Sequence, residues 1–158
     1  MADKNIEFDY TPGLNRKIIN KVGVPGDNLP EELMRYLCKH YDNNNIIENK
    51  RILVIRMLDL AKQYAVKNSV TYITDSKEKY DEFLKAINNK EKYGGDDAVE
   101  LIEDWKSIGE IVKDMPKFDY IIGNPPYGQH GMGSLDLHYE IAESLFGTYN
   151  NKMIFVMP

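Results

Sequence analysis

The sequence is poor in the residues that build disulfides and zinc sites. It holds one cysteine, Cys38, and three histidines, His40, His130 and His138. A single cysteine excludes an internal disulfide, and these four residues show none of the spacings that are typical of zinc ligands. We therefore expect no metal site, and we interpret Cys38 as an ordinary buried thiol.

Long apolar runs are absent as well. No stretch approaches the roughly 18 residues that a membrane span needs, and the N-terminal residues 1–5 lack the apolar region of a signal peptide. We expect a cytoplasmic protein with no membrane association. A chain of 158 residues, 42% of them hydrophobic, is long enough to bury the core of one compact domain.

Positive charge is in deficit. The chain has 20 Lys and Arg residues against 25 Asp and Glu residues, which gives a net charge of −5. Binding to a nucleic-acid backbone needs clustered Lys and Arg, so we do not expect this chain to grip nucleic acid unaided. A nucleic-acid enzyme is not excluded, because a second, basic domain can provide the grip.

What the sequence does contain, from residue 51 onward, is a series of short apolar runs that alternate with longer amphipathic stretches. This pattern is typical of a parallel α/β sheet. Right-handed crossovers then favour a doubly wound, mostly parallel, Rossmann-like sheet in residues 46–158. We predict strands at 51–56, 69–74, 98–102, 118–122 and 152–156, with helices at 58–67, 76–88, 106–113 and 136–147.

The first 45 residues have a different pattern. We interpret them as an N-terminal arm followed by two short helices, at 14–22 and 29–41. Apolar residues recur there at helical spacing, and Pro30 suits the first turn of a helix.

The strongest chemical signal is Asn124-Pro125-Pro126-Tyr127, which follows the predicted strand at 118–122. Ligands of open α/β sheets bind at the carboxyl ends of the strands. Two consecutive prolines fix φ and remove two backbone donors, so the turn is stiff and its carbonyl oxygens are available to a ligand.

Such a turn suits the methylation of a planar, conjugated amino group. The Asn124 side-chain oxygen and the Pro125 carbonyl oxygen can both accept hydrogen bonds from an NH₂ group, and Tyr127 can stack on the ring. The alternative is a rigid proline turn or a polyproline ligand for another domain. We disfavour it because those motifs lie in exposed loops and not at the end of a buried strand.

These residues resemble the amino-methyltransferases that carry an Asn/Asp-Pro-Pro-Tyr/Phe motif, above all the DNA adenine-N6 methyltransferases of restriction-modification type. The similarity extends over 118–128, over Leu135-Asp136-Leu137-His138-Tyr139 and over the apolar strand that ends in Met157-Pro158. It implies a class I methyltransferase fold, S-adenosylmethionine as cofactor and DNA as partner. A flipped adenine would be held by Asn124, Pro125, Pro126 and Tyr127.

The resemblance also implies a set of cofactor-binding residues. Thr11 and Pro12 match the Thr-Pro element that contacts the methionine moiety, and Asp75 takes the place of the acid that binds the ribose hydroxyls. Asp75 is equally suited to cap the following helix. Asp104 matches the residue that meets the adenine amine, and Trp105 either lies against the adenine ring or packs in the core.

The chain departs from this family after the first strand. The family has a glycine-rich turn there because glycine lets the backbone approach the cofactor closely, whereas this sequence has no glycine between 51 and 61. One interpretation is a rebuilt turn with Asp59 standing in. The other is a non-catalytic methyltransferase-like subunit that acts as an interaction module.

A second departure is the end of the sequence at Pro158. In the family the sheet continues through a hairpin, and a further region recognises DNA. We therefore expect an incomplete fold that is a fragment, or that a partner subunit or a C-terminal part completes. The Asn-Pro-Pro-Tyr turn would equally serve cytosine N4, an RNA adenine or a protein glutamine as the methylated amine.

Overall fold

A computed structural model describes residues 48–89, 96–126 and 137–155 of the chain. The arm and the two helices predicted within residues 1–45 lie outside the described residues. Within the described ranges, strands and helices alternate as the sequence predicts. The strands are β1 (Arg51–Ile55), β2 (Ser69–Thr74), β3 (Ala98–Leu101), β4 (Phe118–Gly123) and β5 (Tyr149–Phe155), and the helices are α1 (Leu58–Ala65), α2 (Lys77–Asn88), α3 (Ile108–Val112) and α4 (Leu137–Ser144).

The five strands form one sheet in the order β3-β2-β1-β4-β5, and every neighbouring pair is parallel. The first strand, β1, thus lies in the middle of the sheet. β2 and β3 follow on one side of it, and β4 and β5 on the other. This order confirms the predicted doubly wound, Rossmann-like fold. Strand order reverses between β1 and β4, which is where such sheets bind ligands.

The two faces of the sheet are covered by different helices, because alternate residues of a strand point to opposite faces. On one face Ile52 and Val54 of β1 share an apolar cluster with α1 and with Phe83 of α2. On the other face Leu53 and Ile55 share a cluster with α3 and α4. All four of these β1 side chains are completely buried, so β1 is the central strand of the core.

Three polar side chains bind backbone amides at the amino ends of the strands, opposite the carboxyl ends where such sheets bind ligands. The amide of Arg51 donates to Asp119 Oδ2 at 2.9 Å, and the amide of Val70 donates to Asp97 Oδ1 at 2.8 Å. Asn68 Oδ1 accepts from the amide of the residue before β1 at 3.0 Å. Each bond gives a partner to a backbone N–H group at a strand end that is not paired in the hydrogen-bond ladder of the sheet.

Several predicted boundaries differ from the structure by one to three residues; the helices predicted at 58–67 and 136–147, for example, end at Ala65 and Ser144. The fifth strand begins at Tyr149, three residues before the predicted start at 152, and it pairs with β4 through a register irregularity between Phe118 and Tyr120. The helix predicted at 106–113 begins as a 3₁₀ turn, Trp105–Ser107, before α3. Within the described residues the structure contains no helix of the length and apolar character that a membrane crossing requires.

Candidate active site

The carboxyl ends of β2, β1 and β4 lie side by side and carry most of the described site residues. The amide of Arg56, just past β1, donates to Ile73 of β2 at 3.0 Å, and the amide of Asn124, just past β4, donates to Ile55 of β1 at 3.0 Å. These two bonds place the turns that follow the three strands next to one another. The site is therefore built on the rigid middle of the sheet.

Gly123 is the residue that lets β4 end so close to β1. A Cβ atom at this position would lie 2.7 Å from the Cβ of Ile55 and 3.2 Å from its carbonyl oxygen. Real Cβ atoms do not approach other heavy atoms to 2.7 Å, so only glycine fits without movement of β1 or β4. The glycine before the Asn-Pro-Pro turn thus has a packing function in the positioning of Asn124.

Asn124 is 3% exposed, and its backbone amide is tied to β1. Pro125 is buried and Pro126 is half-buried. The turn therefore leaves the sheet as a fixed unit, which agrees with the stiffness that two prolines impose. Tyr127, the predicted stacking residue, lies outside the described residues.

At the end of β2, Ser76 and not Asp75 caps the following helix. The Ser76 hydroxyl accepts from the amide of Lys79 at 3.3 Å, so the carboxylate of Asp75 is left for other partners. Asp75 Oδ2 accepts from the Trp105 indole N–H at 3.1 Å, and Asp75 Oδ1 lies 3.6 Å from Arg56 Nε. The Asp75 side chain is 39% exposed and remains accessible to a ligand.

Asp104 and Trp105 follow β3 and have different surroundings. The Asp104 carboxylate accepts from the amide of Lys106 at 3.0 Å and so caps the 3₁₀ turn. Trp105 is 7% exposed and belongs to the apolar cluster beneath the sheet edge. The Trp105 ring therefore packs in the apolar core, and its indole N–H contacts the site by donating to Asp75.

The turn after β1 is occupied by Arg56 and Met57, where the family resemblance called for glycines. Arg56 has φ of 59°, a left-handed conformation that costs a residue with a Cβ about 1–2 kcal/mol. Its ion pair with Asp75 joins side chains that are 26% and 39% exposed, and such a pair contributes about 0–1 kcal/mol. The ion pair alone does not offset the backbone strain.

The structure brings Asn124, Pro125, Pro126 and Asp75 to one edge of the sheet, with Asp104 and Trp105 beside Asp75. Asp59 is exposed in the first turn of α1. Thr11 and Pro12 lie outside the described residues. The described residues contain no group of three or more His, Cys, Asp or Glu side chains that would hold a metal ion.

Arg56 is the residue of this edge that the sequence-based prediction missed. The sequence does contain a signal for this ion pair. Arg56 ends the first predicted strand, and Asp75 directly follows the second. Strand ends of opposite charge are expected to meet once the two strands are adjacent.

The sheet order, the two helical layers and the Asn-Pro-Pro turn at the switch point define a Rossmann-like protein of the class I methyltransferase type. The chain matches the family described as Eco57I restriction-modification methylase over residues 34–157. It therefore belongs to that family, and the predicted relationship to restriction-modification methylases is confirmed. S-adenosylmethionine is the cofactor that this membership indicates, as the sequence predicts.

Two solved structures illustrate what this chain is similar to. TrmN from Thermus thermophilus has 14% sequence identity and a TM-score of 0.50, over 84% of this chain and 38% of that one. PKMT2 from Rickettsia typhi, solved in complex with AdoHcy, has 23% identity and a TM-score of 0.45, over 77% of this chain and 23% of that one. The chain thus spans less than half the length of these two proteins. No curated protein matches it significantly.

Proposed function

We propose that this chain carries the methyl-transfer site of an S-adenosylmethionine-dependent DNA adenine-N6 methyltransferase. One observation carries the proposal: Asn124 and Pro125 leave β4 at the switch point, beside the ends of β1 and β2. Membership of a restriction-modification family supports DNA as the substrate.

The residues present fit the cofactor at one point and the acceptor amine at another. Asp75 offers a half-exposed carboxylate at the end of β2, where ribose hydroxyls can donate to it. Asn124 lies two strands away, past the end of β4. When bound, S-adenosylmethionine supplies an electrophilic methyl group on a sulfonium.

The protein's own contribution would be to orient a weak nucleophile. The exocyclic nitrogen of adenine is conjugated with the ring, so its lone pair is poorly available. The Asn124 side-chain oxygen and the Pro125 carbonyl oxygen would accept the two N–H bonds and leave the lone pair facing the methyl group. As the nitrogen gains the methyl group, the methyl–sulfur bond would break and a neutral thioether would leave. The nitrogen would then lose one proton to water, so no basic residue is needed.

The target base must leave the duplex to reach this turn, and Tyr127 is proposed to stack on it. The net charge of −5 leads us to assign DNA binding to another region or to a partner. The same turn would accept cytosine N4, an RNA adenine or a protein glutamine. A non-catalytic subunit is the second candidate, and the observation that favours it is Arg56 in the place of a glycine.

The test measures cofactor binding and methyl transfer separately. Titration calorimetry with S-adenosylmethionine comes first, and an absence of binding at millimolar cofactor would reject the enzymatic function. Transfer of labelled methyl groups is then measured on single-stranded oligonucleotides in which adenine is present or replaced, with RNA and protein acceptors in parallel. Adenine-dependent labelling of DNA alone is the expected result.

The variant Asn124→Ala should lower the transfer rate by roughly 100-fold or more while the cofactor dissociation constant stays nearly unchanged. Asn89→Ala is the matched control, because Asn89 is exposed at the far end of α2. Loss of cofactor binding together with transfer in Asn124→Ala would mean that Asn124 supports the pocket and does not act on the amine.

A further inference from the structure

Arg56 lies between the proposed ribose contact at Asp75 and the turn at Asn124 that is proposed to hold the acceptor amine. It follows β1, and the sheet order places β1 between β2, which ends beside Asp75, and β4, which ends beside Asn124. A ligand that extends from Asp75 to Asn124 therefore passes over Arg56. The side chain is 26% exposed, so it faces both protein and solvent.

The cluster of Arg56, Asp75 and Trp105 has more donors than acceptors. A guanidinium carries five N–H donors, and among the described residues its recorded partner is the single oxygen Asp75 Oδ1 at 3.6 Å. The Arg56 Nε atom is buried and makes no hydrogen bond there. The other Asp75 oxygen accepts from Trp105, so a single carboxylate is set against a guanidinium and an indole N–H, and a second anionic group would give partners to the remaining guanidinium donors.

The backbone of Arg56 gives a second reason to look for a ligand. Its left-handed φ of 59° is strained for a long side chain such as arginine, and the partly exposed ion pair with Asp75 does not compensate for that strain. Strained residues that persist at the ligand edge of a fold commonly do so because their side chains act there.

Charge decides which part of the cofactor Arg56 can contact. The sulfonium is positive and would be repelled by the guanidinium, whereas the α-carboxylate of the methionine moiety pairs with it in a bidentate manner. We propose that Arg56 binds this carboxylate and so replaces, by a charged side chain, the contacts that a glycine-rich turn makes through its backbone. The inference rests on the proposed cofactor binding and adds the residue that selects the amino-acid part.

The experiment compares two ligands that differ in this part. S-Adenosylhomocysteine carries the carboxylate, and 5′-methylthioadenosine lacks the whole amino-acid moiety. Titration calorimetry is carried out on the wild-type chain and on Arg56→Met, which keeps most of the side-chain length but loses the charge. Arg56→Gly, which also relieves the backbone strain, is the second variant in case Arg56→Met is poorly folded.

Arg56→Met should weaken S-adenosylhomocysteine binding by roughly tenfold or more, the usual effect of losing hydrogen bonds to a charged group. Its affinity for 5′-methylthioadenosine should change by less than about threefold. Arg56→Lys should retain part of the preference. Lys62→Met is the matched control, because Lys62 is an exposed lysine paired with Glu82 on the helical face, and it should bind both ligands like the wild type.

Three outcomes contradict the inference and can be told apart. Tighter binding of both ligands by Arg56→Met would show that Arg56 competes with the ribose for Asp75. Equal weakening of both would show that Arg56 only holds Asp75 in place. If the wild-type chain binds neither ligand, the proposed function fails and this inference fails with it.

Discussion

The amide of Asn124 donates to the carbonyl oxygen of Ile55 at 3.0 Å, so the first residue of the Asn-Pro-Pro turn is fixed to the end of the central strand. The turn is attached to the most buried strand of the molecule and not to a surface loop. Positioning groups on rigid elements limits their movement and favours hydrogen bonds of defined geometry. The packing around Ile55 should therefore control both the stability of the fold and the position of Asn124 in the site.

Gly123→Ala tests that packing. The new methyl group would lie 2.7 Å from the Cβ of Ile55, and overpacking of this kind costs about 1–3 kcal/mol. We expect a loss of that size in the free energy of unfolding, measured by denaturant titration. Gly147→Asn is the control, because a Cβ at Gly147 meets nothing within 4 Å and Asn tolerates left-handed φ. A loss no larger than that of the control would contradict the close approach.

Most of the fold could be predicted from the sequence because its central strands are almost entirely buried. β1, β2 and β4 are short runs of mainly apolar and β-branched residues with helical stretches between them, and all three begin where predicted. The early start of β5 could not be predicted. Tyr149 and the two asparagines after it look like a turn, and they become strand only because β4 offers an irregular ladder beside them.

The site was predictable where a motif is rigid by itself and less so where it depends on contacts between strands. Asn124-Pro125-Pro126 needs only its own prolines and the strand before it. Asp75 had two equal interpretations, and the Ser76 cap removed one of them. The pairing of Arg56 with Asp75 requires a left-handed arginine, a conformation that local propensity disfavours and that a single sequence does not reveal.

Asp75→Asn tests the predicted ribose contact. The substitution keeps the shape but removes the charge, and loss of charge-assisted hydrogen bonds is worth about 1.5–3 kcal/mol. The dissociation constant for S-adenosylmethionine should rise by roughly 10- to 100-fold, as measured by calorimetry. Asp81→Asn, which breaks an exposed pair with Lys77 on α2, should leave it unchanged. Equal affinities for the two variants would remove Asp75 from the cofactor site.

Asp119→Ala tests how the strands are fixed at their amino ends, on the side of the sheet away from the site. The variant leaves the amide of Arg51 without the carboxylate oxygen that now lies at 2.9 Å, and we expect unfolding to become easier by about 1–3 kcal/mol. Glu143→Ala, an exposed acidic residue on α4, should change stability by less than about 0.5 kcal/mol. Cofactor affinity should be the same in both, because this side of the sheet is remote from the site.

Tyr149→Phe and Tyr120→Phe are predicted to shift stability in opposite directions. The Tyr149 hydroxyl is buried and has no hydrogen-bond partner among the described residues, so its removal should raise the free energy of unfolding by about 1 kcal/mol. The Tyr120 hydroxyl accepts from Asn151 at 3.0 Å, and its removal should lower stability by about 0.5–1.5 kcal/mol. Denaturant titrations at pH 7 on both variants measure the difference.

Comparison of the wild-type chain with Tyr149→Phe also isolates the effect of burial on ionisation. Burial raises the pKa of Tyr149 above its ordinary value of about 10, because the charged phenolate is disfavoured away from water. Above pH 10 the unfolded chain therefore releases the Tyr149 proton while the folded chain keeps it. The stability that this group contributes is complete below about pH 10 and is lost as the pH rises through the folded-state pKa.

The wild-type chain should consequently lose stability more steeply than Tyr149→Phe above pH 10, by up to about 1.4 kcal/mol per pH unit. Lysines and other tyrosines titrate in the same range, but both proteins contain them, so the difference between the two curves isolates Tyr149. Parallel curves from pH 9 to 11 would mean that the hydroxyl is solvated in the folded chain. Tyr149 would then be a boundary residue of β5, and the early start of this strand would not bury it.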